Sequence, residues 1–316
     1  MEEWKLINRR TFVKNISLAG LAFPVMKSIP FQVNSKKIKK LTILHTNDMH
    51  SHIDPFSIYD SKYPGMGGMT RVASLINNIR AVEKNVLLLD AGDIFQGTPY
   101  FNRYKGKLEL QLMSQMGYAA STMGNHDFDN GIEGFNNVLN NADFPFLCSN
   151  YDFNDTILKN KTKPYKILSF DSLRVGILGI GIQLDGLVEK RLYKKTKYLD
   201  PIERANYWAK YLKNDEKCDF IICLSHLGYE YQSNKISDLH LAEESENINL
   251  IIGGHTHTFL KEAKTVINKK NQKVIVNQAG WGALALGRVD IYFDKKTDNN
   301  HSISSIDVSK KNYAKI

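Results

Sequence analysis

Apolar residues along this chain fall into short runs, and most runs end on the same few polar residue types. Leu41–Leu44, Val86–Leu89, Phe220–Leu224 and Ile248–Ile252 are predominantly Leu, Ile and Val, and Tyr118–Met123 leans the same way. Short continuous apolar runs predict strands buried on both faces. Between them the period changes. In Met69–Val82 the apolar Val72, Leu75, Ile76 and Ile79 recur on one face, which predicts a helix. Leu108–Met116, Gly131–Asn141 and Ser237–Ser245 also read as helices, and Asp200-Pro201 caps and opens one that runs to about Leu212. Residues 54–68, rich in Pro and Gly, read as a loop, and Gly97-Thr98-Pro99 continues another. Phe144–Cys148 is a further strand, and Lys166–Phe170 with Arg174–Ile180 forms a hairpin joined at Asp171-Ser172-Leu173. Val274–Asn277, Gly287–Phe293 and Ser302–Val308 close the chain as β structure. Strands alternating with helices define an α/β fold, and the late run of strands without helices makes its sheets mixed. No linker divides residues 40–308, and no repeat is present.

Composition changes the picture mainly at the N-terminus. The chain has 316 residues, 42% of them hydrophobic, enough for a sizeable core. Its net charge of +9 would suit nucleic acid, but nine of the 42 lysines and arginines and only two of the 33 acids lie in residues 1–40. The body is nearly balanced, so no basic groove and no nucleic-acid partner are expected. Asn8-Arg9-Arg10-Thr11-Phe12-Val13-Lys14 resembles a twin-arginine export motif, followed by the apolar run Ile16–Phe31 that Pro24, Lys27 and Pro30 interrupt. Residues 1–35 are therefore expected to be a signal segment that engages the twin-arginine machinery and directs the chain to the periplasm. No small-x-small cleavage site precedes residue 40, which keeps an uncleaved membrane tether as the alternative. The three cysteines, Cys148, Cys218 and Cys223, are too few and too odd for a disulfide framework and read as buried hydrophobes. Cys218 and Cys223, five apart around one strand, are expected on opposite faces.

The chemistry is concentrated where strands end. Asp48-Met49-His50, Gly92-Asp93, Gly124-Asn125-His126-Asp127-Phe128-Asp129, Ser225-His226 and Gly254-His255-Thr256-His257 each follow an apolar run. One isolated Asp or His there would be a turn former or a packed side chain. Five such clusters on one rim of an α/β scaffold are a site. Carboxylate, imidazole and amide oxygen together suit divalent Zn, Mn, Fe or Co, not thiolate-preferring ions. The set Asp48, His50, Asp93, Asn125, His226, His255 and His257 suffices for two ions if one carboxylate bridges, and Asp93 is the candidate bridge. A pair about 3.5–4 Å apart acidifies a water and clamps both oxygens of a displacement at phosphorus. His126 is then free to stabilise charge or move a proton, with Asp129 orienting its ring. His45 reads as a core residue, His52 as loop, and His240 and His301 as surface. Ser225 lacks a Gly-x-Ser-x-Gly setting and is not read as a nucleophile.

In order, Asn47-Asp48-Met49-His50-Ser51, Gly92-Asp93-Ile94-Phe95-Gln96-Gly97-Thr98, Gly124-Asn125-His126-Asp127-Phe128-Asp129, His226-Leu227-Gly228 and Gly253-Gly254-His255-Thr256-His257 resemble the calcineurin-like metallophosphoesterases. With Asn277-Gln278-Ala279-Gly280 and Leu286-Gly287-Arg288 they look, more narrowly, like the metal domain of the 5′-nucleotidase and UDP-sugar hydrolase family. The resemblance spans about residues 40–295 and implies a four-layer αββα sandwich; the domain is expected over residues 36–309, between the signal segment and a polar tail, 310–316. It implies that Asp48, His50, Asp93 and His257 hold one metal and that Asp93, Asn125, His226 and His255 hold the other. His126 and Asp129 match its catalytic dyad, and Asn125 and His126 face the substrate. The implied activity is hydrolysis of nucleoside 5′-monophosphates or related phosphomonoesters. The alternatives on the same site are cyclic-nucleotide phosphodiesterase and nucleotide-sugar pyrophosphatase. Family members usually continue into a C-terminal domain that grips the base, whereas this sequence stops at Ile316. Two alternatives follow for that half: a separate nucleotide-binding polypeptide supplies it, with the chain as the metal-domain subunit, or the isolated domain hydrolyses small phosphoesters with little selectivity.

Overall fold

Two six-stranded sheets stack face to face because their central strands are apolar on both sides. The computed structural model describes residues 40–293 and, as backbone, residues 300–307. The twin-arginine segment, the tail 310–316 and Val308 lie outside the described residues. The strands are β1 (Lys40–Thr46), β2 (Val86–Asp90), β3 (Ala120–Thr122), β4 (Phe146–Leu147), β5 (Tyr151–Asp152), β6 (Tyr165–Phe170), β7 (Leu173–Ile180), β8 (Lys197–Tyr198), β9 (Phe220–Ser225), β10 (Leu250–Ile252), β11 (Lys264–Ile267), β12 (Lys273–Asn277), β13 (Ala285–Tyr292) and β14 (Asn300–Asp307). The first sheet has the order β14-β13-β1-β2-β3-β4 and the second β11-β12-β10-β9-β7-β6, with β5 and β8 paired separately. In the first sheet the parallel strands β1-β2-β3-β4 run to one edge and antiparallel β13 and β14 complete the other, whereas in the second a parallel centre carries antiparallel edge strands β11 and β6.

The helices, in chain order, are α1 (Met69–Val82), α2 (Pro99–Tyr104), α3 (Lys107–Met116), α4 (Gly131–Leu139), α5 (Lys190–Tyr193), α6 (Pro201–Asn214) and α7 (Asp238–Glu244). Three apolar layers hold the four tiers together. Leu41, Ile43, Leu87 and Leu89 of the first sheet meet Val175, Ile177, Ile222, Leu224 and Ile252 of the second. Leu44 and Leu88, on the other face of the first sheet, pack on Val72, Ile76, Leu110 and Phe135 of α1, α3 and α4. Leu178, Ile221 and Ile251 of the second sheet pack on Ala205, Leu212 and Leu241 of α6 and α7. The result is the expected αββα sandwich.

Most predicted elements recur within one or two residues, and α1 coincides with its prediction. Two expectations fail. Gly97 and Thr98 continue the loop as read, but Pro99 does not, because Thr98 caps α2 through its side-chain oxygen and Pro99 occupies the first turn. Cys218 and Cys223 do not face opposite ways. Cys218 precedes β9, so strand alternation does not reach it, and both pack in the layer under α6 and α7. The β4 strand is only Phe146–Leu147, shorter than Phe144–Cys148. Among the described residues no helix is long and apolar enough to cross a membrane.

Candidate metal centre

The loops after β1, β2 and β3 of one sheet and after β9 and β10 of the other converge at the carboxyl ends of parallel strands. That is where open α/β sheets collect ligands. All nine residues singled out from the sequence meet there. Asp48 and His50 share a side, but not through strand alternation, since β1 ends at Thr46. Both instead adopt left-handed backbone, with φ of 49° and 47°. Asp93, His255 and His257 do the same, at 55°, 72° and 54°. Non-glycine residues resist this region at a cost of roughly 1–2 kcal/mol each. Strain of this kind persists where the fold over-determines it and is enriched at functional sites. Gly92 turns the second loop at a φ of 89°, and a Cβ there would lie 2.6 Å from Gly124 N.

Two donor groups result, Asp48 with His50 and His257, and Asp93 with His226 and His255. In the first, His50 Nε2 lies 3.1 Å from His257 Nε2, and His257 Nε2 lies 3.4 Å from Asp48 Oδ1. In the second, His226 Nε2 lies 3.0 Å from Asp93 Oδ2, and Asn125 Oδ1 lies 2.8 Å from His255 Nδ1. The groups are contiguous. Asp93 Oδ2 is 3.9 Å from His50 Nε2, and Asp48 Oδ1 is 3.8 Å from His226 Nε2.

These spacings are compatible with a shared metal in each group. Donors about 2.0–2.2 Å from one ion sit roughly 3–3.5 Å apart. His226 Nδ1 faces the Ala91 carbonyl at 2.7 Å, which assigns its proton there and leaves Nε2 as the lone pair. That Nε2 is sealed from solvent and forms no hydrogen bond despite its nearness to Asp93. The charges agree. Burial opposes charging of His226, yet Asp93 and Asp48 push its pKa up to about 10, the mark of a pocket that demands positive charge. Burial also opposes ionisation of Asp93, yet His226 and its neighbours hold its pKa below the ordinary 3.8. Burial, and then His226, lowers His255 to about 4.

His126 stands at the edge. Its backbone N–H donates to Asp93 Oδ1 at 2.7 Å, and its Nδ1 lies 2.8 Å from Asp129 Oδ2. The hydrogen bond to Asp129 raises its pKa above 6.5. Asp127 has a part that its motif alone does not disclose. It is buried, and its carboxylate accepts N–H groups from Asp93, Ile94, Phe95 and Gly124, tying the second loop to the third. Burial, then Asp93, pushes Asp127 up to about 8. Asn47 ties the first loop to the last, accepting from Ala279 N and donating to the Gly280 carbonyl. His45 is buried against Asn277, as a core histidine, and His240 is exposed.

Comparison with known proteins agrees with this picture. Residues 41–259 match the calcineurin-like phosphoesterase family. The trifunctional nucleotide phosphoesterase YfkN of Bacillus subtilis is 33% identical over 304 residues, 84% of this chain and 19% of that protein. Snake venom 5′-nucleotidase of Naja atra is 34% identical over 277 residues, covering 81% of this chain and 51% of its own. The crystal structure of a 5′-nucleotidase precursor from Thermus thermophilus superposes with a TM-score of 0.78 at 31% identity, over 86% of this chain and 55% of that one. The chain thus spans about half or less of the length of these relatives. A match along most of its length, on the sandwich fold that such proteins share, makes the chain a member of the calcineurin-like phosphoesterases, metallophosphatases that hydrolyse ester bonds.

Proposed function

We propose that the chain is a dimetal phosphohydrolase that releases phosphate from nucleoside 5′-monophosphates or related phosphomonoesters. Asp48, His50, Asp93 and His257 hold one divalent ion, and Asp93, Asn125, His226 and His255 hold the other. When bound, such a pair acidifies a water and clamps the attacking and leaving oxygens of an in-line displacement at phosphorus. The carrying observation is the contiguity of the two donor groups through Asp93 Oδ2, 3.0 Å from His226 Nε2 and 3.9 Å from His50 Nε2. His126 belongs to neither group. Asp129 orients its ring and favours its cationic form, which suits it to oppose charge building on the phosphoryl oxygens. The nucleotide phosphoesterase and the 5′-nucleotidases among its relatives support nucleotides as the substrate class.

The test is a panel assay of purified protein with added Mn, Zn or Co, on AMP, UDP-glucose, a cyclic nucleotide and an aryl phosphate. AMP and the aryl phosphate are expected to release phosphate fastest. Preference for the cyclic nucleotide or for UDP-glucose would favour the phosphodiesterase or the pyrophosphatase instead, and no turnover of any would overturn the reading. Export by the twin-arginine route belongs to the same reading. Exchanging Arg9→Lys and Arg10→Lys together is expected to strand the protein in the cytoplasm, and unchanged export would refute that address.

A further inference from the structure

An aromatic shelf begins at the metal centre and runs outward from it. The Trp281 indole lies 5.3 Å from the His257 ring, with their planes 8° apart. Phe56 meets Trp281 edge-on at 5.5 Å, and Tyr63 meets it at 6.2 Å. Tyr63 then faces Phe259, with centroids 6.4 Å apart and planes 38° from parallel. Phe259, at the outer end, is 43% exposed, which is high for a phenylalanine beside a polar site.

Local backbone makes room for this surface. Trp281 sits between Gly280 and Gly282, both at positive φ, and each glycine is where a ring lies on bare backbone. A Cβ on Gly280 would stand 2.2 Å from the Phe259 ring, and one on Gly282 would stand 2.9 Å from Phe56. The loop that carries Phe56 and Tyr63 is pinned. Phe56 N donates to the Met66 carbonyl, Gly65 N to that of Ser57, and Asp60 Oδ1 accepts from Lys62 N and Tyr63 N. The Trp281 loop is pinned to the metal loop, since Gly282 N donates to the Asp48 carbonyl at 2.7 Å. A rigid, partly exposed set of rings loses little entropy when it takes a ligand.

We propose that Trp281, Tyr63 and Phe259 form a stacking subsite for the planar ring of the leaving group, so that the metal domain itself selects phosphoesters of nucleosides and aryl alcohols over aliphatic ones. This rests on the phosphoester reading above. Stacking tolerates any base, because every base has a π-face, so the preference is for a ring and not for a sequence of polar groups. A purine covers more of the shelf than a pyrimidine and is favoured modestly. The competing occupant is a polypeptide that covers the rings.

Two measurements separate the subsite from the hydrolysis. In the first, adenosine, which has no phosphate, is titrated into the full chain while the tryptophan indole N–H resonances are followed by NMR. The Trp281 signal, assigned by its loss in Trp281→Phe, is expected to shift, and that of Trp208 is not. In the second, kcat/KM for AMP is divided by that for ribose 5-phosphate. The ratio is expected to fall about five- to tenfold in Phe259→Ala and in Tyr63→Ala. Neither side chain is a proposed metal ligand. A Trp281 shift with no turnover of any phosphoester would keep the subsite and sink the hydrolase. Turnover with no shift and an unchanged ratio would sink the subsite alone, as would rings found covered by a tightly held protein partner.

Discussion

Among single residues, His126 carries the sharpest prediction. Its ring is part-exposed, lies outside both donor groups and leans on Asp129. Replacing it removes the charge proposed to face the substrate and leaves every proposed ligand in place. His126→Ala is expected to lower kcat about a hundred- to a thousandfold while metal content, measured by elemental analysis, stays near wild type. Activity that survives with metal bound would remove His126 from the chemistry. The residue types at the centre were legible in the sequence because carboxylate, imidazole and amide recur after apolar runs. Their backbone was not. Nothing local announces that Asp48, His50, Asp93, His255 and His257 adopt left-handed φ, because tertiary contacts between remote loops impose it. Asp127 shows the same limit. An acid inside a polar motif reads as one more candidate, and only the fold reveals that its oxygens gather N–H groups from two loops.

Between elements, the first sheet is fastened near the start of β1 by a charged cluster. Lys40 Nζ contacts Glu83 at 2.7 Å and Asp290 at 3.2 Å, Arg288 reaches both acids, and the Thr42 hydroxyl donates to Asp290 at 2.7 Å. The cluster joins β1 to β13 and to the turn after α1. Burial alone would raise the pKa of Asp290, but the Thr42 hydroxyl and Arg288 outweigh it and lower the carboxyl below 3.8. A depressed carboxylate stabilises fully above its unfolded pKa and loses that contribution as pH falls through the folded value. Asp290→Asn is therefore expected to cost about 1–2 kcal/mol at pH 7.5 and progressively less as pH approaches 3, read by urea denaturation. A cost that stays constant with pH would show that packing, not charge, sets the effect. The same two strands mark what the sequence could not provide. The sequence predicts β1 and β13 as strands, but their pairing joins Lys40 to Tyr292 across most of the chain, and no local pattern encodes a partner that remote. The miss at α2 is different in kind. Thr98-Pro99 carries the same cap-and-proline signal as Asp200-Pro201, and the preceding Gly97 masks it by favouring a loop.

For the molecule as a whole, the centre sits where the two sheets meet, with three of its loops on one sheet and two on the other. The sheets are otherwise held face to face largely by apolar side chains, such as Leu41, Ile43 and Leu89 opposite Ile222 and Ile252. Contacts of that kind do not discriminate one end of the sandwich from the other. Cations seated between the loops would tie that end shut and offset the crowding of Asp48, Asp93 and Asp127, all buried. A ligand that binds only the folded chain stabilises by mass action, about 2.7 kcal/mol at a hundredfold excess over its dissociation constant. For a domain of this size that corresponds to roughly 5–10 °C in Tm. Chelation with EDTA is expected to lower Tm by that order and to abolish phosphatase activity, and Mn, Zn or Co added back should restore both. In His226→Ala the thermal response to added metal should shrink, because the buried Nε2 that points into the second group is gone. A wild-type Tm indifferent to both chelator and metal would mean that the loops close without cations, and the convergence of the two sheets would then need another cause.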